Sequence, residues 1–135
     1  MAVVRVAPVP ALRGTVRVPP DKSLTHRALL LAALSDRPVR IARPLESADT
    51  AATLGAVAAC GAVVDGDPGD EVTVTGPGMR ALRPPPALDC ANAGTLMRLL
   101  VGILVGQRCD RVVLDGDDSL RRRPMTRIAR PLRAM

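Results

Sequence analysis

Three short segments of the 135-residue chain put cations, hydroxyls and small residues where helices should begin. In the first, Val16 to Leu34, an alternating apolar stretch stops at Pro19-Pro20. An apolar run follows at once, with Lys22, Ser23 and Arg27 at or just inside its start. A helix N-terminus carries unpaired N–H donors and a partial positive charge, so it already favours an anion. Two cations and a hydroxyl added there make a site for a phosphate or a carboxylate. Lys22 and Arg27 are five residues apart and do not stack as helical neighbours, which puts Lys22 on the loop and Arg27 on the first turns. The plainer alternative is a capped, solvated helix start.

The second segment is Asp89-Cys90-Ala91-Asn92-Ala93-Gly94-Thr95-Leu96-Met97-Arg98. Gly94 lets a ligand approach backbone N–H groups closely, and Asn92 and Thr95 add polar side chains at a helix start. An ordinary strand-to-helix turn with an Asn cap is the alternative. In the third segment, Gly116 to Met125, the successive Arg121, Arg122 and Arg123 stand before a helix and could clamp a carboxylate or phosphate bidentately. A solvated basic turn would account for two of the three. Asp49 reads as a helix-start carboxylate favoured by the dipole. His26, for which the sequence names no partner, reads as positional and not as a general base. Met97 and Met125 read as core.

The elements that must position these residues follow from periodicity and punctuation. Strands are expected near 3–7, 14–18, 39–43, 62–65, 71–75, 86–89 and 111–115, and helices near 23–35, 48–60, 94–106 and 124–134. Ser47 suits the N-cap of the second helix and Gly61 its stop. Asn92 or Ala93 opens the third helix, and Pro124 fits the first turn of the fourth. Gly76-Pro77-Gly78 and Pro84-Pro85-Pro86 mark a loop between two halves that look alike. Strand, anion-type loop, apolar helix, strand, Ser/Asp loop and helix run in that order in both, at an offset of about 70 residues, as in an internal repeat. Unit one spans about 14–80 and unit two about 86–135. The second unit ends after its second helix, so the expectation is a chain cut inside an α/β (α+β) domain, with no catalytic competence alone.

Composition narrows the partners. Charged residues make up 24% and hydrophobic ones 47%, which suits a soluble globular domain. The chain has no Phe, Trp or Tyr, so its core must be aliphatic. A net charge of +6 favours anionic partners. Without aromatics to stack on bases, small anions fit better than nucleic acid. Cys60, Cys90 and Cys109 have no CxxC spacing and the chain has one His, which argues against a zinc site and for reduced, buried thiols in a cytosolic protein. No signal peptide is visible, and the longest apolar stretch, Leu99 to Val105, is too short to span a bilayer.

Taken together, these motifs resemble the 5-enolpyruvylshikimate-3-phosphate synthase family, the 3-phosphoshikimate 1-carboxyvinyltransferases of the shikimate pathway. The matching pieces are Val18-Pro19-Pro20-Asp21-Lys22-Ser23 with His26-Arg27-Ala28-Leu29, then Ser47-Ala48-Asp49-Thr50, then Asn92-Ala93-Gly94-Thr95 with Met97-Arg98. Gly116-Asp117-Asp118-Ser119-Leu120 with Arg123-Pro124-Met125 completes the set. They stand in family order over nearly the whole chain. The UDP-N-acetylglucosamine enolpyruvyl transferases share the fold and chemistry, but their first loop carries Lys-Asn where this chain has Lys22-Ser23. A non-catalytic anion-binding fragment is the alternative of a different class.

The resemblance implies an inside-out fold of βαβαββ repeats, incomplete here, in an enzyme of two domains around a closing cleft. It also implies transfer of the enolpyruvyl group from phosphoenolpyruvate to shikimate 3-phosphate, with no metal or organic cofactor, in a cytoplasmic, monomeric enzyme that binds neither nucleic acid nor membrane. By resemblance, Lys22, Ser23 and Arg27 bind shikimate 3-phosphate. Lys22, Asn92, Gly94 and Arg123 bind phosphoenolpyruvate, Lys22 being the catalytic candidate, and Asp49 and Thr95 support them. Two departures stand out. Pro20 replaces the usual Gly before Asp-Lys-Ser and fixes φ ahead of Lys22, and Leu96 stands where Thr or Ala is common.

Overall fold

Asp21 starts the first helix by accepting a hydrogen bond from the Leu24 N–H at 2.7 Å, and the helix it caps, α1 (Lys22–Ala32), is the centre of the structure. The computed structural model describes residues 3–135. After α1 come β1 (Val39–Ala42), α2 (Ala48–Ala59), β2 (Val63–Asp67) and β3 (Glu71–Thr75). Beyond the Gly-Pro-Gly and Pro-rich loop follow β4 (Ala87–Asp89), α3 (Gly94–Leu104), β5 (Val113–Asp115), α4 (Asp118–Arg121) and α5 (Thr126–Ala134). The first three strands form an antiparallel sheet in the order β1-β3-β2, with Val39 opposite Val74 and Ile41 opposite Val72. β4 and β5 pair in parallel.

β3 shows why the sheet has a wet and a dry face. Val72 and Val74 alternate with Glu71, Thr73 and Thr75, and both valines are fully buried. α1 packs against β1 and β3 on one side and against α2 and α3 on others. Leu29 and Leu30 of α1, Val57 of α2, and Leu96 and Leu100 of α3 therefore share one core with Leu120. That core is aliphatic throughout, as the composition requires.

Several boundaries match the sequence reading. Ser47 caps α2 in a full capping box, its hydroxyl accepting from Thr50 N while the Thr50 hydroxyl accepts from Ser47 N. Gly61, at φ +97°, ends α2 in the left-handed conformation that favours glycine. Met97 is core and Met125 packs beside it. Cys60 and Cys90 are buried, whereas Cys109 is only half-buried.

Other expectations are corrected. Residues 3–7 and 14–18 are not strands: they join no ladder among the described residues, and Val3, Val6, Val16 and Val18 are exposed. Alternation makes a half-buried strand only where a neighbouring backbone and a core are present to receive it. The fourth expected helix, 124–134, is α5, and a further short helix precedes it. Asp117 caps the short α4, which the sequence reading passed over, and Pro124 lies between α4 and α5 instead of in a first turn. α1 begins at Lys22 itself, so Lys22 is helical and not on the loop.

Because Ser47 sets where α2 begins, it also sets where Asp49 points. Ser47→Ala should destabilise the chain by about 1 kcal/mol, read from a urea unfolding midpoint.

Candidate anion-binding site

At the start of α1 the Lys22 ammonium donates to Asp49 Oδ2 at 2.7 Å, joining the first turns of α1 and α2. The Lys22 side chain is half exposed, and an ammonium has three donors, so two remain for another acceptor. Ser23 and Arg27 lie on one stripe of the helix four residues apart. The Arg27 Nε donates to Ser23 O at 3.1 Å, which turns its guanidinium back toward the helix start and leaves the outer nitrogens exposed. Among the described residues the Ser23 hydroxyl has no internal hydrogen-bond partner. Ser23 and Arg27 on one stripe and Lys22 beside them thus bring two cations and a hydroxyl to one helix N-terminus.

The second group is built on the loop between β4 and α3. Ala91 sits at φ +49°, a left-handed conformation that costs an alanine on the order of 1 kcal/mol. It is held there from both sides: Asp89 Oδ1 accepts from Ala91 N at 2.8 Å, and Ala91 O accepts from Asp117 N at 2.9 Å. The strained residue aims Asn92 at the α4 loop. Asn92 is therefore not a cap, and α3 begins behind Ala93 with no side-chain cap bond. The Asn92 amide nitrogen donates to Asp117 Oδ2 at 2.6 Å, and its carbonyl oxygen accepts from an Arg123 guanidinium nitrogen. Asp117 also receives the Leu120 N–H at 2.7 Å as the α4 cap. The Asn92 hydrogen bond first, and that N–H second, hold its carboxyl below the usual carboxylate range.

Gly94 is buried beneath the second group and its N–H is taken up by Asn92 O at 2.9 Å, so it is not the open backbone donor expected from the sequence. A Cβ placed there would stand 2.8 Å from an Arg123 terminal nitrogen and 3.2 Å from one of Arg98. Two guanidiniums thus converge on a glycine in the first turn of α3. The sequence reading gave Arg98 no role, although its place four residues after Gly94 puts it on the same stripe of the helix. Its Nε is buried without a hydrogen-bond partner among the described residues. Thr95, half-buried in the first turn of α3, makes no side-chain hydrogen bond among them.

The arginine triplet divides by geometry. Arg121 is fixed to Asp115 through two bonds of 2.9 and 2.7 Å and reaches Asp118 at 3.4 Å, Arg122 is exposed, and Arg123 alone turns inward. Cys90 is no nucleophile at neutral pH, because burial pushes its thiol up to about 11. No hydrogen bond or ion pair joins the Lys22 group to the Asn92 group among the described residues, but α1 packs directly against α3. No three His, Cys, Asp or Glu side chains are grouped as metal ligands among them. The two groups together can bind anions through charge-assisted hydrogen bonds.

Two outcomes test this geometry. Ala91→Gly should relieve the left-handed strain and stabilise the chain by about 1 kcal/mol in urea unfolding. Asn92→Ala removes the leading cause of the low Asp117 carboxyl, so the Asp117 titration midpoint should rise in a carbon-detected NMR titration.

Comparison with known proteins follows the same lines. A family model described as EPSP synthase (3-phosphoshikimate 1-carboxyvinyltransferase) matches residues 6–135. A Thermus thermophilus 3-phosphoshikimate 1-carboxyvinyltransferase is 52% identical over 131 residues, covering 97% of this chain and 30% of that protein. The Halorhodospira halophila protein of the same name is 51% identical over 132 residues, with the same coverage of both. Among solved structures, an EPSP synthase from Acinetobacter baumannii superimposes with a TM-score of 0.81 at 44% identity, over 90% of this chain and 27% of that one. The chain spans about 30% of the length of the curated relatives it matches. Its mixed helices and sheets are those of an incomplete enolpyruvyl transferase domain. With the family model matching nearly the whole chain and each motif standing in order, the chain belongs to the EPSP synthase family.

Proposed function

We propose that this chain supplies the part of an enolpyruvyl transferase that binds the anionic groups of shikimate 3-phosphate and phosphoenolpyruvate. In the reaction, the 5-hydroxyl oxygen of shikimate 3-phosphate gives up its proton and bonds to the central carbon of phosphoenolpyruvate, whose C=C π bond breaks as a proton is delivered to the methylene. Loss of phosphate and of a methyl proton then restores the vinyl group. The observation that carries the reading is the convergence of the Arg98 and Arg123 guanidiniums on Gly94 at the head of α3. Support comes from the exposed Lys22, Ser23 and Arg27 at the head of α1.

In this reading Lys22, Ser23 and Arg27 hold shikimate 3-phosphate, and Lys22, Asn92, Gly94 and Arg123 hold phosphoenolpyruvate. Asp49 orients Lys22, and Thr95 supports the first turn of α3. Asp49 and Asp117 are committed to Lys22 and to Asn92 with the α4 cap, so the proton transfers fall to groups outside this chain. We also read 14–80 and 86–135 as two copies of one repeat in a cytoplasmic enzyme. The repeat reading is supported by Ser47 and Asp117, which cap the second helix of each copy. Among the described residues no helix is long and apolar enough to cross a membrane.

The test joins the chain to the part of the Thermus thermophilus relative that lies beyond the match. The joined protein should release phosphate from phosphoenolpyruvate with shikimate 3-phosphate as acceptor, and turnover with a UDP-sugar alone would overturn the reading. Lys22→Met in that protein should lose affinity for both substrates by factors of tens or more, since a desolvated charge-assisted contact is worth about 2–5 kcal/mol. Near-normal kinetics would remove Lys22 from the site.

A further inference from the structure

Four polar side chains are buried among the described residues, and all of them lie on α1 and α2: Thr25, His26, Thr50 and Thr53. Two of them form a second rung beneath the Lys22–Asp49 ion pair. His26 Nδ1 lies 2.6 Å from Thr53 Oγ1, one helical turn beyond Lys22 on α1 and one turn beyond Asp49 on α2. Both rungs join residues 27 apart, so the two helices run parallel and meet in phase at successive turns. The rungs differ in environment. Lys22 is half exposed, and an exposed ion pair contributes little to fixing two helices. His26 and Thr53 are both fully buried, where a made hydrogen bond is strong and a lost one is costly.

We propose that His26 is a positioning residue for the Lys22 anion site: its neutral imidazole donates Nδ1–H to Thr53 and so keeps the first turns of α1 and α2 in phase. The inference rests on the function proposed above.

The tautomer follows from the neighbours. The Thr53 hydroxyl donates to Asp49 O at 3.2 Å, which leaves it to accept from His26 Nδ1–H. Nε2 is then a lone pair, buried without a partner. Protonation would put an N–H at Nε2 where no acceptor stands, and a second cation one turn from Lys22. The charged groups acting on the ring are Asp49 of α2, which favours the imidazolium, and Lys22 of α1, which opposes it. Of the other elements packed on α1, α3 carries Arg98, β1 carries Arg40 and β3 carries Glu71, the last two paired with each other on the surface. Burial is the leading influence and lowers the His26 pKa from its ordinary 6.5. The folded chain therefore holds its proton less tightly than the unfolded chain. The stabilisation is complete above pH 6.5 and declines as pH falls below it, because the unfolded state takes up the proton first. His26 is the single histidine, so that slope belongs to it.

The test measures binding of shikimate 3-phosphate to the chain by calorimetry at pH 7.5, with the thermal midpoint followed from pH 7.5 to 5.5. His26→Leu should bind about tenfold more weakly, the usual cost of leaving a buried hydrogen-bond partner unmet. His26→Asn, whose amide nitrogen falls near Nδ1 and does not titrate, should restore most of the affinity and flatten the midpoint profile relative to wild type. Thr53→Val, which keeps shape and removes the acceptor, should weaken binding as His26→Leu does, and it decides the matter if His26→Leu does not fold. Wild-type affinity in Thr53→Val or in folded His26→Leu would overturn the inference alone, as would a midpoint profile that His26→Asn leaves unchanged. No binding by wild type, or binding that Lys22→Met leaves intact, would instead overturn the function on which it rests.

Discussion

The contact between α1 and α2 buries four polar side chains, and much of the structure is arranged around it. Every hydroxyl among them has a partner, whereas His26 Nε2 has none among the described residues. α2 turns Thr50, Thr53, Ala56 and Val57 inward and leaves Ala48, Ala51, Ala58 and Ala59 on its outer side. A polar side chain buried at this contact loses its exposure to bulk water, and the buried threonine hydroxyls find protein partners instead. The Thr25 hydroxyl accepts from Leu45 N at 2.9 Å and donates to Asp21 O, while Thr50 donates to Leu45 O at 2.7 Å. Both backbone polar groups of this residue, in the loop between β1 and α2, are thereby gripped by α1 and α2. The same set of contacts fixes the α1 start, the α2 start and the loop between them, which is what an anion site assembled from two helix ends requires.

The loop at Asn92 solves a different problem. Here one side chain must reach across to α4 while Gly94, two residues on, leaves room for side chains to pack over it. The chain meets this by forcing Ala91 into a left-handed turn and pinning it with Asp89 and the Asp117 backbone. Strain of this kind persists only where the surroundings over-determine it, and it is found where a precise direction matters. The result sets two guanidiniums over Gly94, one from its own helix and one carried in by the turn after α4.

Net charge alone would not have located the site. Many of the basic side chains are paired or solvated: Arg40 lies on Glu71 at 2.9 Å, and Arg121 lies on Asp115, whose carboxyl it brings down to about 2. Such exposed pairs are worth little individually. What distinguishes Lys22, Arg27, Arg98 and Arg123 is that the first three lie in the opening turns of α1 and α3, with donors unspent or a buried nitrogen unpaired, and the fourth reaches the α3 start from the turn after α4. Location relative to backbone dipoles matters here more than total charge.

The sequence by itself determined whatever depends on near neighbours. Capping, glycine stops and period-two alternation act within a few residues, so Ser47, Gly61 and the Val72/Val74 face of β3 were all legible, as were the helix starts that carry Lys22 and Gly94. The family was legible too, because its motifs are short and ordered along the chain. Tertiary structure decided everything that joins distant segments. Residues 3–7 and 14–18 have the strand pattern but meet no partner backbone, and pattern alone cannot supply one. Asn92 looked like a cap and became a bridge, since its partners Asp117 and Arg123 arrive from a helix turn 25 and 31 residues away. His26 had no nameable partner until α2 laid Thr53 against it. Side-chain roles set by long-range packing are hidden in a linear sequence because the loop closures that bring the partners together depend on the whole core, not on the local residues.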